Sequence, residues 1–241
     1  MALADAPLTF ASIRRALAHG IATTQRTRAV SLSYAGVFTV GGAFILLALI
    51  KSGMTPLALV AASAFTLIGP IVLAGFFGIA RADELQQRAG ADAVFNGFHD
   101  PPGGLWAIAL VCMVFFMIFV FEATLGYGLA VSAAPSLPPV IDMTTFVVWT
   151  LLSGTLIAVL LFSLSAFSVP LVCEHRATLV EAIAASLRVV ARNFAVTMTW
   201  ALILATATIG SIILLPLFLF VLPVLAYASH ALYREALPPG R

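Results

Sequence analysis

Charge is what this sequence has least of: Asp, Glu, Lys and Arg fill 9% of its 241 positions, and Lys51 is the sole lysine. A water-soluble domain draws about a quarter of its residues from those four types, because its surface has to be solvated. Here 62% of the residues are hydrophobic and the mean hydropathy is +1.10, so lipid has to be the main solvent. A net charge of +2 is too small to suggest a nucleic-acid partner. Cysteine is nearly missing as well. Cys112 and Cys173 stand far apart, each in an apolar stretch, which excludes a CxxC pair and a disulfide framework and leaves two small apolar residues. The sequence has no nucleophile elbow, phosphate-binding glycine loop, HExxH helix or paired carboxylates, and no convergent polar set is expected from it. A non-enzymatic role without cofactor or metal follows as the expectation. Residues 1–28 hold four arginines and no short apolar run with a small-residue cleavage site, so no secretory signal is expected.

What the sequence does have is long uncharged runs. A helix needs about 20 apolar residues to cross the hydrocarbon core. Runs of that kind predict spans at about 29–50, 56–80, 105–131 and 143–172. The stretch Phe194–Tyr233 lacks Lys, Arg, Asp and Glu throughout and is too long for one span. Two spans, 194–212 and 214–233, with a turn near Gly210–Pro216 fit it better, giving six in all, with five the chief rival. The predicted fold is an all-α polytopic bundle, with residues 1–28 as an amphipathic segment and 29–241 as one transmembrane domain.

The arginines orient it. With six spans, Arg14, Arg15, Arg26, Arg28, Arg81 and Arg88 share a side with Arg176, Arg188, Arg192, Arg234 and Arg241, and Lys51 stands alone opposite. Such a bias puts the arginine side and both termini in the cytoplasm. On the other side, Asp142 reads as the N-cap of the fourth span.

Two helices are predicted to lie on the arginine face. Phe10, Ile13, Leu17 and Ile21 make one apolar stripe, with Arg14, Arg15 and His19 turned away. Leu179, Ile183, Leu187 and Val190 make the other, with Glu181, Arg188 and Arg192 opposite, and Thr178 and Glu181 form a capping box. Both suit the headgroup plane, so Arg14, Arg15, Arg188 and Arg192 become candidate contacts to lipid headgroups or to a partner protein.

Few residues carry a chemical signal. Glu122 is the one acid expected within a span, and about 26 Å along it, near the outer interface. It reads either as a snorkelling or capping group or as a proton or cation site. Pro70, Pro170 and Pro223 each stand where a missing N–H would kink a span and free a carbonyl. Pro70 precedes Arg81 by the same interval as Pro223 precedes Arg234, which repeated hairpins or chance would both explain. The histidines His19, His99, His175 and His230 gather near the arginine boundary. His99-Asp100 precedes Pro101-Pro102-Gly103-Gly104 and reads as a solvated turn. Cys173-Glu174-His175 are neighbours on a helix, so their side chains diverge and do not make one metal site. Ala74–Gly78 and Gly154–Ala158 have the small-xxx-small spacing of close helix contacts.

Several of these stretches resemble a bacterial integral-membrane family of unknown function. They are Gly69-Pro70-Ile71 with Gly75-Phe76-Phe77 and Arg81, Val169-Pro170-Leu171, Ala182-Ile183 with Ser186, Asn193 and Trp200, and Pro223 to Tyr233-Arg234. The resemblance implies six helices, and some members carry a cytochrome c oxidase label. The chain departs from the pattern at Cys173-Glu174-His175-Arg176, where an Asp-Arg-like pair would follow Pro-Leu. The oxidase label implies haem or copper, yet the histidines lie near one face and the cysteines far apart, so bilayer-depth ligands are wanting. What it leaves is association with a respiratory complex. The expected function is an accessory, assembly or scaffold component of a larger complex in the inner membrane, its partners being the bilayer and other membrane subunits. The alternative is a small-solute or ion transporter.

Overall fold

In hydrocarbon a backbone amide has no water to bond, so it must find its partner within its own helix. The computed structural model describes residues 6–51, 72–87, 90–98, 103–131 and 141–238, and all regular structure among them is helical. The helices are α1 Phe10–Arg26, α2 Arg28–Lys51, α3 over 72–84, α4 Ala91–Phe98 and α5 Gly103–Val131. They continue with α6 Met143–Ser165, α7 Ser168–Cys173, α8 Leu179–Arg192, α9 Phe194–Ile213 and α10 Leu215–Ala236.

Among the described residues, four stretches are long and apolar enough to cross a membrane: Arg28–Ile45 in α2, Gly104–Val131 in α5, Met143–Cys173 through α6 and α7, and Pro216–Ala236 in α10. The α8–α9 pair, bent by 104°, makes a fifth if it is one broken span. Most of the 56–80 segment expected as a span lies outside the described residues, as do Pro70, Arg88, His99, Asp100, the 132–140 loop and Arg241.

Each break has a local cause. Pro170 has no N–H to offer the carbonyl of Ala166, and the helix unwinds at Ala166–Phe167 before resuming as α7. The buried Ser186 of α8 fills the gap. Its hydroxyl donates to the Ser163 carbonyl at 2.7 Å and accepts from the Phe167 N–H at 3.2 Å, replacing the helical bond those two groups would have made. At the α8–α9 bend, the Asn193 amide donates to the Val189 carbonyl at 3.0 Å and its side-chain oxygen accepts from the Leu8 N–H at 2.8 Å. α10 runs on through Pro223, and Leu214 separates it from α9 inside the expected Gly210–Pro216 interval. The start of α6 is capped as expected, Asp142 accepting from the Thr145 N–H at 3.0 Å. Thr178 and Glu181 do make the capping box of α8, the Thr178 N–H reaching the carboxylate at 3.0 Å.

Small residues set the helix contacts. α1 packs along α10 through Ser12, Ala16, Gly20 and Thr23, and at Gly20 the backbones come so close that a Cβ would lie 2.9 Å from the Ala228 nitrogen. The expected stripe on α1 is split by this packing. Ile13 is buried, but Phe10 and Ile21 are 61% and 46% exposed, because the close approach to α10 needs the small face rather than the bulky one. α8 shifts in the same way. Ala182, Ala185, Ser186, Val189 and Val190 are buried, while Leu187 and Val180 are exposed. α3 and α4 meet through Ala74 and Gly78 against Ala93 and Gly97, the contact anticipated for Ala74–Gly78. Between α5 and α6 the Phe119 ring sits over Gly154 and the Phe146 ring over Gly126.

Buried side chains concentrate where α1, α3, α7, α8 and the last turns of α10 meet. The spans, by contrast, show much of their apolar surface: 11% of the α2 window and 22% of the α5 window is buried.

Candidate functional site at the arginine-rich end

Glu174 follows α7 directly, at the point where the chain turns out of the Met143–Cys173 span, and its carboxylate points back into the protein. His175, with a φ of 53°, carries the backbone away again, so the two neighbours diverge. Opposite stands α10, whose residues His230, Tyr233 and Arg234 lie on adjoining faces one turn apart. His230 is 1% exposed. Its Nε2 lies 3.1 Å from Glu174 Oε1, the Tyr233 hydroxyl donates to Oε2 at 2.8 Å, and Arg234 Nη2 reaches Oε1 at 3.1 Å.

A second carboxylate closes the cluster from α3. Glu84 accepts from Arg234 Nη2 at 3.2 Å, and its Oε1 stands 3.7 Å from His230 Nδ1. That is too long for a hydrogen bond, and Nδ1 is buried without one. Arg176 locks the C-terminal end. It donates to the Tyr233 hydroxyl at 2.6 Å and to the carbonyls of Leu237 and Pro238 at 2.9 and 2.8 Å. Burial pushes the Glu174 carboxyl up. The hydrogen bond and charge of His230, the Tyr233 hydroxyl and the charge of Arg234 outweigh that and hold it below its ordinary value.

Two further ion pairs pin the same end. Arg15 pairs with Glu235, which also accepts from Ser12 Oγ at 2.5 Å. Arg26 grips Asp83 with its Nη2 at 2.6 Å, a bond that raises the guanidinium above its ordinary value. Arg15, a candidate headgroup contact, is thus ion-paired within the chain and still largely exposed.

A cavity of about 550 Å³ opens beside the cluster, between α3, α4 and the turn after α7. Arg81, Gln87, Asp92, Asn96, Glu174 and His175 supply its polar lining, and Phe77 and Leu85 part of the apolar. The expectation that no polar set converges is corrected here: residues 56 to 60 positions beyond Glu174 fold back onto it. Sequence reading missed His230 and Glu84 because their pairing depends on which helices pack together.

Glu122 lies elsewhere. From Gly104, at about 1.5 Å per residue, it is about 27 Å along α5. It falls on the α6-facing side, between the Phe119–Gly154 and Gly126–Phe146 contacts, with one carboxylate oxygen buried and unpartnered. It does not line the cavity at the arginine-rich end.

Residues 57–174 match the model of a family described as a predicted integral membrane protein family, DUF2189. That stretch takes in α3 to α7 and ends on Glu174. DUF2189 is a family of unknown function, so the match shows the class of protein and leaves its activity open. No curated protein and no solved structure matches the chain.

Proposed function

We propose that this chain is a non-enzymatic protein of the bacterial inner membrane, with six spans and both ends in the cytoplasm, acting as an accessory, assembly or scaffold component of a larger membrane complex. The observation that carries this reading is on α2. Gly41 and Gly42 stand together in the middle of that helix, and among the described residues no atom comes within 4 Å of a Cβ added to either. A glycine inside a helix costs about 1 kcal/mol relative to alanine, and close packing against another helix offsets it. An adjacent pair with nothing packed on it among the described residues fits a contact with another subunit. The polar end supports the same reading: ion pairs and buried hydrogen bonds tie α1, α3 and α10 into one rigid layer. Arg14 and Arg188, on the outer faces of α1 and α8, are left for headgroups or a partner, and Arg192 belongs to the same surface.

The test is native electrophoresis of the protein extracted in a mild detergent, with Gly42→Leu beside it. The wild type should migrate in an assembly well above its own 25.3 kDa. The variant should fold but leave that assembly. Wild-type protein running alone, or a variant that stays assembled, refutes the scaffold reading.

The transporter alternative rests on Glu122, whose unpartnered buried oxygen in the α5–α6 seam is what a proton or cation site would need. Proteoliposome flux abolished by Glu122→Gln in a normally folded protein would favour it.

A further inference from the structure

The cavity at the arginine-rich end carries opposite charges on two walls that do not meet. Arg81 on α3 and Asp92 on α4 both line it. Arg15, Arg26 and Arg234 at the same end are ion-paired within the chain. Among the described residues, neither Arg81 nor Asp92 has an ion-pair partner. The amides of Gln87 and Asn96 face the same space. Glu174, the other carboxylate there, is already held by His230, Tyr233 and Arg234, which leaves Asp92 as the free acceptor.

The location narrows what could enter. Residues 72–80 of α3 are apolar and Arg81 is the first charge after them, so the cavity opens where a hydrophobic segment ends. Leu85 shares its wall and is 58% exposed, and Phe95 beside it in α4 is 67% exposed. A ligand with one negative group, one cationic donor and an apolar portion left outside would satisfy all of these surfaces.

We propose that this cavity binds the headgroup of a zwitterionic phospholipid with a primary ammonium, the phosphoethanolamine class. The planar guanidinium of Arg81 matches a phosphodiester through paired N–H donors. The ammonium has three N–H donors for Asp92 and the amide oxygens of the lining. A phosphocholine headgroup has no N–H to give them, and a phosphoglycerol headgroup has no cation for Asp92. Both therefore bind less well, because a site built around hydrogen bonds penalises a ligand that cannot make them. The proposal rests on the reading that the arginine-rich end lies at a membrane boundary.

The experiment is native mass spectrometry of the full chain, exchanged into detergent with equal amounts of phosphatidylethanolamine, phosphatidylcholine and phosphatidylglycerol. Soluble phosphoethanolamine is offered in a separate arm. Phosphatidylethanolamine should be retained on the order of tenfold over either of the others, a difference of about 1.4 kcal/mol. Arg81→Gln should lower retention of phosphatidylethanolamine and phosphatidylglycerol alike, and Arg81→Lys should restore part of it. Asp92→Asn should remove the preference for ethanolamine while leaving phosphatidylglycerol bound. Both positions are at the surface, and unchanged thermal unfolding verifies each variant's fold. Equal retention of the three lipids, a preference for phosphatidylglycerol, or an Asp92→Asn variant that keeps ethanolamine selectivity overturns the proposal. Soluble phosphoethanolamine that displaces the lipid at similar concentration overturns the phospholipid as the ligand of this site. A reporter fused after Arg241 tests the orientation separately: lost selectivity with a cytoplasmic signal sinks the site and leaves the topology standing.

Discussion

Removing one hydroxyl should unsettle the Met143–Cys173 span more than its size suggests. Ser186 is fully buried and satisfies two backbone groups at once, the Ser163 carbonyl and the Phe167 N–H, at the break forced by Pro170. In Ser186→Ala both groups lose their partner in a place water does not reach. A buried backbone group left unpaired costs about 1–3 kcal/mol, so the pair should cost about 2–6 kcal/mol. A routine side-chain hydrogen bond between membrane helices averages only about 0.6 kcal/mol, which makes the two accounts separable. For a chain of this size 1 kcal/mol moves the midpoint by about 2–4 °C, so a loss of about 3 kcal/mol should lower Tm by about 6–12 °C. Ser165→Ala is the control. Its hydroxyl bonds the Leu161 carbonyl at 2.7 Å inside an intact helix, and its loss should stay within about 0.5 kcal/mol. The assay is thermal unfolding in one detergent, read by size-exclusion fluorescence. Adding Pro170→Ala restores the missing N–H and lets the helix close, so Ser186→Ala should cost less in that background. If Ser186→Ala is as stable as Ser165→Ala, or costs the same with and without Pro170, the bridging role is wrong.

Four further outcomes follow from the same structure. Gly20→Val should undock α1 from α10, since even a Cβ there meets backbone; a loss of about 1–3 kcal/mol and faster proteolysis within residues 10–26 would be seen, and unaltered cleavage would refute the close approach. Glu174→Gln should destabilise at pH 7 by about 3 kcal/mol, because it strips the charge from a carboxylate that His230 and Arg234 surround. Its folded carboxyl lies below the ordinary value, so this stabilisation is complete above the unfolded pKa of about 4.3 and fades as pH falls through the folded value; wild type and variant should converge there in a pH series of unfolding curves. Glu122→Gln should leave Tm unchanged or slightly raised, since an amide is cheaper to bury than an unpartnered carboxylate, and a large drop would mean the charge has a partner. Reporter fusions after Thr9 and Arg241 should both signal cytoplasm, with the opposite signal in the 132–140 loop; an outside signal at either end would exclude the six-span reading.

Much of the fold was legible because its causes are local. Long uncharged runs gave α2, α5 and α6, the Gly210–Pro216 interval held the α9–α10 break, and Asp142 and Thr178–Glu181 capped the helices they were expected to cap. The orientation of α1 and α8 about their own axes was not legible. Hydrophobic periodicity reports which face avoids water, and at a membrane surface lipid and protein both satisfy that demand. The chain puts small residues inward on both helices, leaving Phe10, Ile21 and Leu187 outward. A signal was available in the four-residue spacing of Ser12, Ala16, Gly20 and Thr24, a row that only close helix packing would use.

The polar cluster was illegible for a different reason. Read alone, Cys173-Glu174-His175 gives three diverging side chains, and His230 sits in a largely apolar helix whose own acid, Glu235, pairs with Arg15. What joins them is that α7 ends level with the last two turns of α10, a consequence of how both helices pack with α1 and α8. Two sequence facts could have pointed there. A histidine, a tyrosine and an arginine at 230, 233 and 234 share one side of an otherwise apolar helix, so the facing element has to supply an anion. The second is that Glu174 and Arg176 stand together just after Pro170-Leu171, where the fourth predicted span ends. In the structure these two residues meet α10 from the same turn, the carboxylate on His230 and Arg234, the guanidinium on Tyr233 and the carbonyls beyond it. His175, in the left-handed conformation between them, lets acid and arginine converge on the Tyr233 hydroxyl while Glu174 also reaches His230 and Arg234 and Arg176 the carbonyls of Leu237 and Pro238. The positive φ at His175 costs about 1 kcal/mol for a side chain of this type. The bonds made by Glu174 and Arg176 offset that cost, and a glycine at 175 would relieve it without disturbing either.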